Sequence, residues 1–227
     1  MVRGRKETRM RLVFVLALVL LATPVLAQTP LAAPGHPGWV KVNGKCFVWN
    51  TAPLPKEVAH WTGKCVGKFA AGKGILTWRS PIGTARFEGT LRNGKPYGRG
   101  VSVSPEGNRY VGDWRDGKQT GRGLFLWTSG SRYEGTWRDG KPEGRGTGLG
   151  ANGVRYDGDW HDGQANGYGF FVFPDGTLYE GGVRDGKPNG PGRGRVTGEV
   201  YSGLWTEGCF LDGDRRAAIM RDIESCP

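Results

Sequence analysis

The chain has 227 residues, 41 of them glycine, and a formal charge of +11 from 32 Lys and Arg against 21 Asp and Glu. Glycine at about 18%, where roughly 7% is usual, would suit a solvated coil, but nine Trp, seven Tyr and nine Phe exclude one. The positive charge fits anionic surfaces and plain solubility alike, so it does not select a partner.

Residues 1–27 read as a targeting segment. Arg3, Arg5, Lys6, Arg9 and Arg11 precede an apolar run from Leu12 to Ala22, and Val25 and Ala27 put small residues before a cut after Ala27. That is the layout of a secretory signal peptide. The apolar run is shorter than the roughly 20 residues a membrane span needs, and Met10 offers an alternative start. The segment carries five basic residues and Glu7, so the mature chain keeps about +7 of the +11. The expected destination is the periplasm or the exterior, where disulfides form.

Residues 28–38, rich in Pro, Gly and Ala, are expected to be a flexible leader, and 39–60 an N-terminal cap with one strand over Gly44–Asn50. From there a single phrase recurs. Phe87, Tyr110, Tyr133, Tyr156, Tyr179 and Tyr201 each open it, at spacings of 23, 23, 23, 23 and 22 residues. A fixed period of this length means a small unit stacked in a row. Trp61, Gly63, Gly72 and Gly74 keep the same offsets as Tyr110, Gly112, Gly121 and Gly123, which starts the array at 61 and ends it at 208.

Within a unit, Tyr110 to Arg115 alternates as a strand, with Tyr110, Gly112 and Trp114 on one face. Asp116-Gly117 tolerates positive φ and turns the chain. A second strand runs from Gly121 to Thr128, and Ser129-Gly130 turns into the next unit. The fold expected is all-β: an elongated, twisted antiparallel meander of about 23-residue hairpins. Glycine weakens a strand unless something approaches closely. Tyr or Trp rings laid over bare backbone supply that approach and replace a buried core.

The tail, 209–227, is expected to be a cap. Asp214 to Ser225 groups Ile219, Met220 and Ile223 at helical spacing behind Asp214 as N-cap, which predicts a short amphipathic helix. Six or seven units at about 4.8 Å per strand separate the two ends by far more than the roughly 7 Å that a disulfide spans. The four cysteines are therefore expected to pair as Cys46–Cys65 and Cys209–Cys226.

The pattern Y-x-G-x-W-x-x-G-K-x-x-G-x-G, read for instance from Tyr133 to Gly146, resembles the MORN (membrane occupation and recognition nexus) repeat. The resemblance covers about Trp61 to Gly208. It implies an antiparallel meander with an aromatic-lined face and a role in binding, scaffolding or membrane attachment rather than chemistry. The sequence departs from it at Leu91 and Val183, which replace the Trp, and at Gln164, which replaces the turn Lys.

Motifs that look catalytic are absorbed by the repeat. Gly89–Lys95, Gly112–Lys118, Gly135–Lys141 and Gly181–Lys187 read G-x-x-x-x-G-K, but Pro or Gln follows where a phosphate loop needs Ser or Thr. His36, His60 and His161 share no ligand spacing. Asp116, Asp139, Asp162 and Asp185 are turn residues about 10 Å apart, too far for an acid–base couple. No catalytic residue, metal, cofactor or nucleic acid is expected. The candidate binding residues are the aromatic face, Tyr110, Trp114, Tyr133, Trp137, Tyr156, Trp160 and Tyr179, and the basic turns, Lys95, Lys118, Lys141 and Lys187. The first set points to a protein partner or self-association. The second points, as an alternative, to anionic phospholipid or a cell-envelope polymer.

Overall fold

A computed structural model describes residues 38–51, 53–54 and 56–226. The expected signal peptide and residues 28–37 of the expected leader lie outside these. Eighteen strands form one sheet. The first four are β1 (Trp39–Val42), β2 (Cys46–Trp49), β3 (Val58–Trp61) and β4 (Lys64–Val66). Next come β5 (Phe69–Ser80), β6 (Gly83–Arg92), β7 (Lys95–Val103), β8 (Arg109–Arg115), β9 (Lys118–Leu126), β10 (Arg132–Arg138) and β11 (Lys141–Leu149). The sheet continues with β12 (Arg155–His161), β13 (Gln164–Val172), β14 (Leu178–Arg184), β15 (Lys187–Val196) and β16 (Glu199–Thr206), and ends with β17 (Cys209–Asp212) and β18 (Arg215–Ala218). From β5 onward each strand pairs antiparallel with its sequence neighbours, the expected meander.

The turns explain the register. Asp116 and Gly117 have φ of 50° and 88°, and Asn93-Gly94, Asp139-Gly140, Asp162-Gly163 and Asp185-Gly186 repeat that pair of positive values. Two positive φ values in a two-residue loop are the type I′ hairpin, whose twist matches that of the strands. The returning strand therefore starts at once: β9 begins at Lys118, three residues before the Gly121 expected from the sequence. Gly121 instead marks a bulge, with the register shifting between Gly112 and Asp113. A bulge bends the ribbon. Here the Asp113 carboxylate accepts the Arg122 N–H at 3.1 Å, and Asp159 accepts that of Tyr168 at 2.9 Å in the equivalent place.

One face of the sheet carries the core. Tyr133 is fully buried beside the paired glycines Gly135 and Gly146. A Cβ on Gly135 would stand 2.6 Å from the Gly146 Cα and 2.5 Å from the Tyr133 Oη. The ring thus occupies the space two side chains would need, over its own strand and the neighbouring one. The Tyr133 hydroxyl donates to the Thr136 carbonyl at 2.9 Å, as Tyr110, Tyr156 and Tyr179 do to residues 113, 159 and 182. Tyr110 and Tyr133 are each wedged between two tryptophans, while Tyr156 and Tyr179, on either side of Val183 in the Trp slot, each have one tryptophan and share Phe171. Tyr133 lies 5.3 Å from Trp137 and 4.8 Å from Trp160, both edge-on, and Tyr110 lies 5.2 Å from Trp114 and from Trp137. Such pairs each contribute about 0.5–1.5 kcal/mol beyond area burial.

The ends are closed differently from the middle. At the N-terminus β3 and β4 share the outer edge of β5, and the Trp61 ring takes the space beside Gly63 and Gly74 as Tyr133 does in its unit. The single strand expected for the cap over 39–60 is three short ones, the third reaching Trp61. Cys46–Cys65 and Cys209–Cys226 are bonded, with Cα atoms 5.9 and 5.7 Å apart, as the spacing argument requires.

The expected C-terminal helix is not there. Arg215–Ala218 is a strand paired to Cys209–Asp212, and Ile223–Ser225 makes a single 3₁₀ turn. The open edge of β17 offers backbone partners for every other residue, and Gly213 at φ 56° makes the hairpin turn. Ala217 and Ile219, two apart, are buried in the core. That period-2 burial wins over the helical spacing of Ile219 and Ile223 because a four-residue amphipathic face cannot offset helix nucleation.

Candidate functional site

The inner-face rings spend their surface on each other. Tyr110, Tyr133, Tyr156 and Tyr179 keep 0% of it, and Trp114, Trp137 and Trp160 keep 8%, 5% and 2%. Burial pushes the Tyr110, Tyr133 and Tyr156 hydroxyls well above the ordinary phenol range and that of Tyr179 up to about 12. Two of the three indoles are tied down as well: Trp137 donates to the Gly123 carbonyl at 3.1 Å and Trp160 to Gly146 at 3.0 Å. The seven residues come together as one continuous ladder. What they supply to a binding surface is stiffness.

The basic turns line one edge. Each turn glycine donates its N–H to the unit before it, Gly117 to the Pro96 carbonyl and Gly140 to that of Gln119, both at 3.0 Å. This stacks the tips side by side and sets each lysine against the next tip's acid. Lys118 meets Asp139 at 3.2 Å, Lys141 meets Asp162, and Lys187 meets Glu207 at 3.2 Å. Hydrogen bonding to Lys141 lowers the Asp162 pKa, and bonds from Lys187 and Arg184 lower that of Glu207. Lys95 lies 4.9 Å above the Trp49 ring. All four lysines of the expected basic stripe therefore have partners within the chain.

The opposite, open face is a lattice of side chains read across the strands. Arg99 faces Asp113 at 3.8 Å, and Arg145 faces Asp159 at 3.0 Å. Arg86–Glu88 and Arg155–Asp157 pair along their strands. This pattern breaks over the last strands. Tyr168 stands where Arg99, Arg122 and Arg145 stand, and Leu204 where Asp113, Thr136 and Asp159 stand. Tyr168 is 51% exposed, Phe170 37% and Leu204 67%. The Tyr168 hydroxyl is steered by the Glu180 carboxylate at 3.0 Å. The sequence reading missed these residues; lining up the units slot by slot would have shown them as breaks in an otherwise charged row.

Among the described residues no group of three His, Cys, Asp or Glu is placed to hold a metal ion, and no helix is long and apolar enough to cross a membrane. The family model for the MORN repeat matches residues 87–109, 110–132, 133–155, 156–178 and 179–193. Among curated proteins, none matches the chain. Each matched segment opens on a ring that lies over paired glycines, from Phe87 to Tyr179. Residues 87–193 are thus five consecutive MORN repeats.

Proposed function

We propose that this chain is a non-catalytic binding scaffold, exported from the cytoplasm, that docks a protein partner or a second copy of itself on the open face of its sheet. The observation that carries the reading is the break in the charged lattice over β13–β16, where Tyr168 and Phe170 on β13 and Leu204 on β16 are each exposed on the same face. Apolar side chains grouped on one face mark interaction surfaces on soluble proteins, and aromatic anchors concentrate binding energy. The inner ladder supports this by fixing the strand spacing, so the face is presented without an ordering cost. Two disulfides fit an oxidising compartment and with it the signal peptide read from the sequence. The carboxylates that repeat along the array are committed elsewhere. Asp113 and Asp159 cap bulges, and Asp139 and Asp162 hold lysines.

The competing reading is adsorption to anionic lipid or polymer through Lys95, Lys118, Lys141 and Lys187. Their internal partners weigh against it. The two readings separate by salt. The expected result is a complex of fixed stoichiometry that survives about 0.5 M salt, where surface attraction is largely screened. Restoring the lattice with Tyr168→Arg and Leu204→Asp is expected to abolish it without changing the melting temperature. Co-sedimentation with anionic vesicles that disappears at that salt, and is indifferent to the two substitutions, would refute the open-face reading.

A further inference from the structure

The inner face has a gap in the unit that opens at Phe87. In the unit that opens at Tyr110 it carries Phe125 and Trp127, whose rings pack at 4.4 Å, with Phe125 also 6.0 Å from Trp137. The unit before has Ser102 and Ser104 in those slots: Ser102 pairs across with Phe87 and Tyr110, as Phe125 pairs with Tyr110 and Tyr133. The two missing rings leave a cleft of about 440 Å³ lined by Trp49, Trp78, Phe87, Trp114, Leu54 and Pro96. That volume falls within the range of small-ligand and peptide sites.

Two of its hydrogen-bonding groups are donors without a partner. Trp78 and Trp114 line the cleft, and their buried indole N–H groups have no acceptor among the described residues, whereas Trp137 and Trp160, in the slot of Trp114, have one. Both are shielded from water in this conformation. Engaging them takes a shift of the ring, for which the absent Phe and Trp neighbours leave room. The Ser102 hydroxyl adds a group that both donates and accepts. The lining has one carboxylate, Glu57, which already accepts from Asn50 Nδ2 at 2.9 Å and from the Leu54 N–H at 2.9 Å. One cation stands at the margin, Lys95 over Trp49; Arg86 borders the cleft, but its guanidinium is held by Glu88 on the open face.

A complementary ligand offers flat apolar faces and carbonyl acceptors, brings few N–H or O–H donors of its own, and carries negative rather than positive charge. We propose that this cleft binds a proline-rich extended segment of a partner protein, flanked by acidic residues. Tertiary amides of proline have no N–H, and the polyproline II backbone leaves its carbonyls free while its rings stack on aromatic walls. The cleft is on the inner face and is independent of the open-face surface.

The test is titration calorimetry with tryptophan emission on the disulfide-bonded chain from residue 28 onward. The probes are an acetylated peptide of two glutamates and eight prolines, the same peptide with glycine for proline, and chitotetraose. The proline peptide is expected to bind one to one and shift the emission, at least 10-fold more tightly than the glycine peptide. Ser102→Phe with Ser104→Trp installs the next unit's own residues and is expected to reduce affinity at least 10-fold with no fall in melting temperature. Should that pair fail to fold, Ser102→Phe alone gives the same readout. No binding of the proline peptide, equal binding of the glycine peptide, preference for chitotetraose, or undiminished binding by a folded filled variant each overturns the proposal. Tyr168→Arg and Leu204→Asp are expected to leave peptide affinity unchanged, so failure here leaves the open-face reading standing.

Discussion

Tyr133 and Glu134 are neighbours in one strand and live under opposite rules. Tyr133 is enclosed by Gly135, Gly146, Trp137 and Trp160, and none of its surface meets water. Glu134, on the face behind, is exposed, and its slot is filled by Val111, Asp157 and Glu180 in other units. The difference recurs along the whole array. On the inner face a ring and two bare backbones fit only one another, so the residue at each slot is dictated. On the open face the backbone is satisfied whatever the side chain is, and the slots are free to differ. A surface for a partner belongs on the second kind of face, while on the inner face the slots at Ser102 and Ser104, which hold no ring, border a cleft.

The largest test of this contrast is alkaline pH. Tyr110, Tyr133, Tyr156 and Tyr179 have folded pKa values raised by burial above the unfolded value of about 10. A raised folded pKa contributes stability that is fully present below the unfolded pKa and is lost as pH climbs through the folded one. By pH 11 the loss is about 1 kcal/mol for each of the four. Absorbance at the phenolate band should show these tyrosines ionising only together with unfolding. Gradual ionisation of the folded chain would mean that the ladder is not closed. Next in size, Gly135→Ala places a Cβ against the Gly146 backbone and is expected to cost about 3 kcal/mol, read as a lower denaturation midpoint. Glu134→Ala, one residue away, should stay within about 0.5 kcal/mol.

The tail ranks close behind. Converting Cys209 and Cys226 to Ser is expected to cost about 2–3 kcal/mol and to expose backbone amides of β18 to hydrogen exchange first, because only β17 holds that edge. Non-reducing peptide mapping should recover the two near-neighbour linkages and no others. Smaller again is Tyr133→Phe. It removes the bond to the Thr136 carbonyl but keeps the ring over the glycines, for about 1 kcal/mol. Phe87 already fills that role over Gly89 and Gly100 without a hydroxyl.

Which parts were legible in the sequence follows from the same contrast. The Asp-Gly turns, the strand alternation and the ring-on-glycine stacking are local rules repeated in phase, and each appears where the residues place it. The tail was misread because Ile219, Met220 and Ile223 fit a helix taken alone. Only the free edge of β17, a tertiary fact, makes Ala217 and Ile219 a strand face. The rings were rightly placed on one face, but how completely they close it depends on the bend at Gly121 and its equivalents, which spacing does not show. The lysines could be counted, while their partners could not, since Lys118 and Asp139 meet only when successive tips stack.

That stacking gives the smallest prediction and the most direct check on what the edge is for. Lys118 and Asp139 are both well exposed, with side chains 58% and 73% accessible, so their attraction is largely spent on water and salt. Lys118→Ala is expected to shift stability by less than about 0.5 kcal/mol, with the shift vanishing in about 1 M salt. Lys141→Ala should behave alike, and the pair should be additive, because the two lysines meet different acids. Thermal melts at low and high salt measure both. If the lysines serve the lattice alone, the double variant keeps its partner complex and loses nothing to vesicles that the parent chain possessed. If it keeps its stability yet loses retention on anionic vesicles, the edge, rather than the open face, is where this protein meets its target.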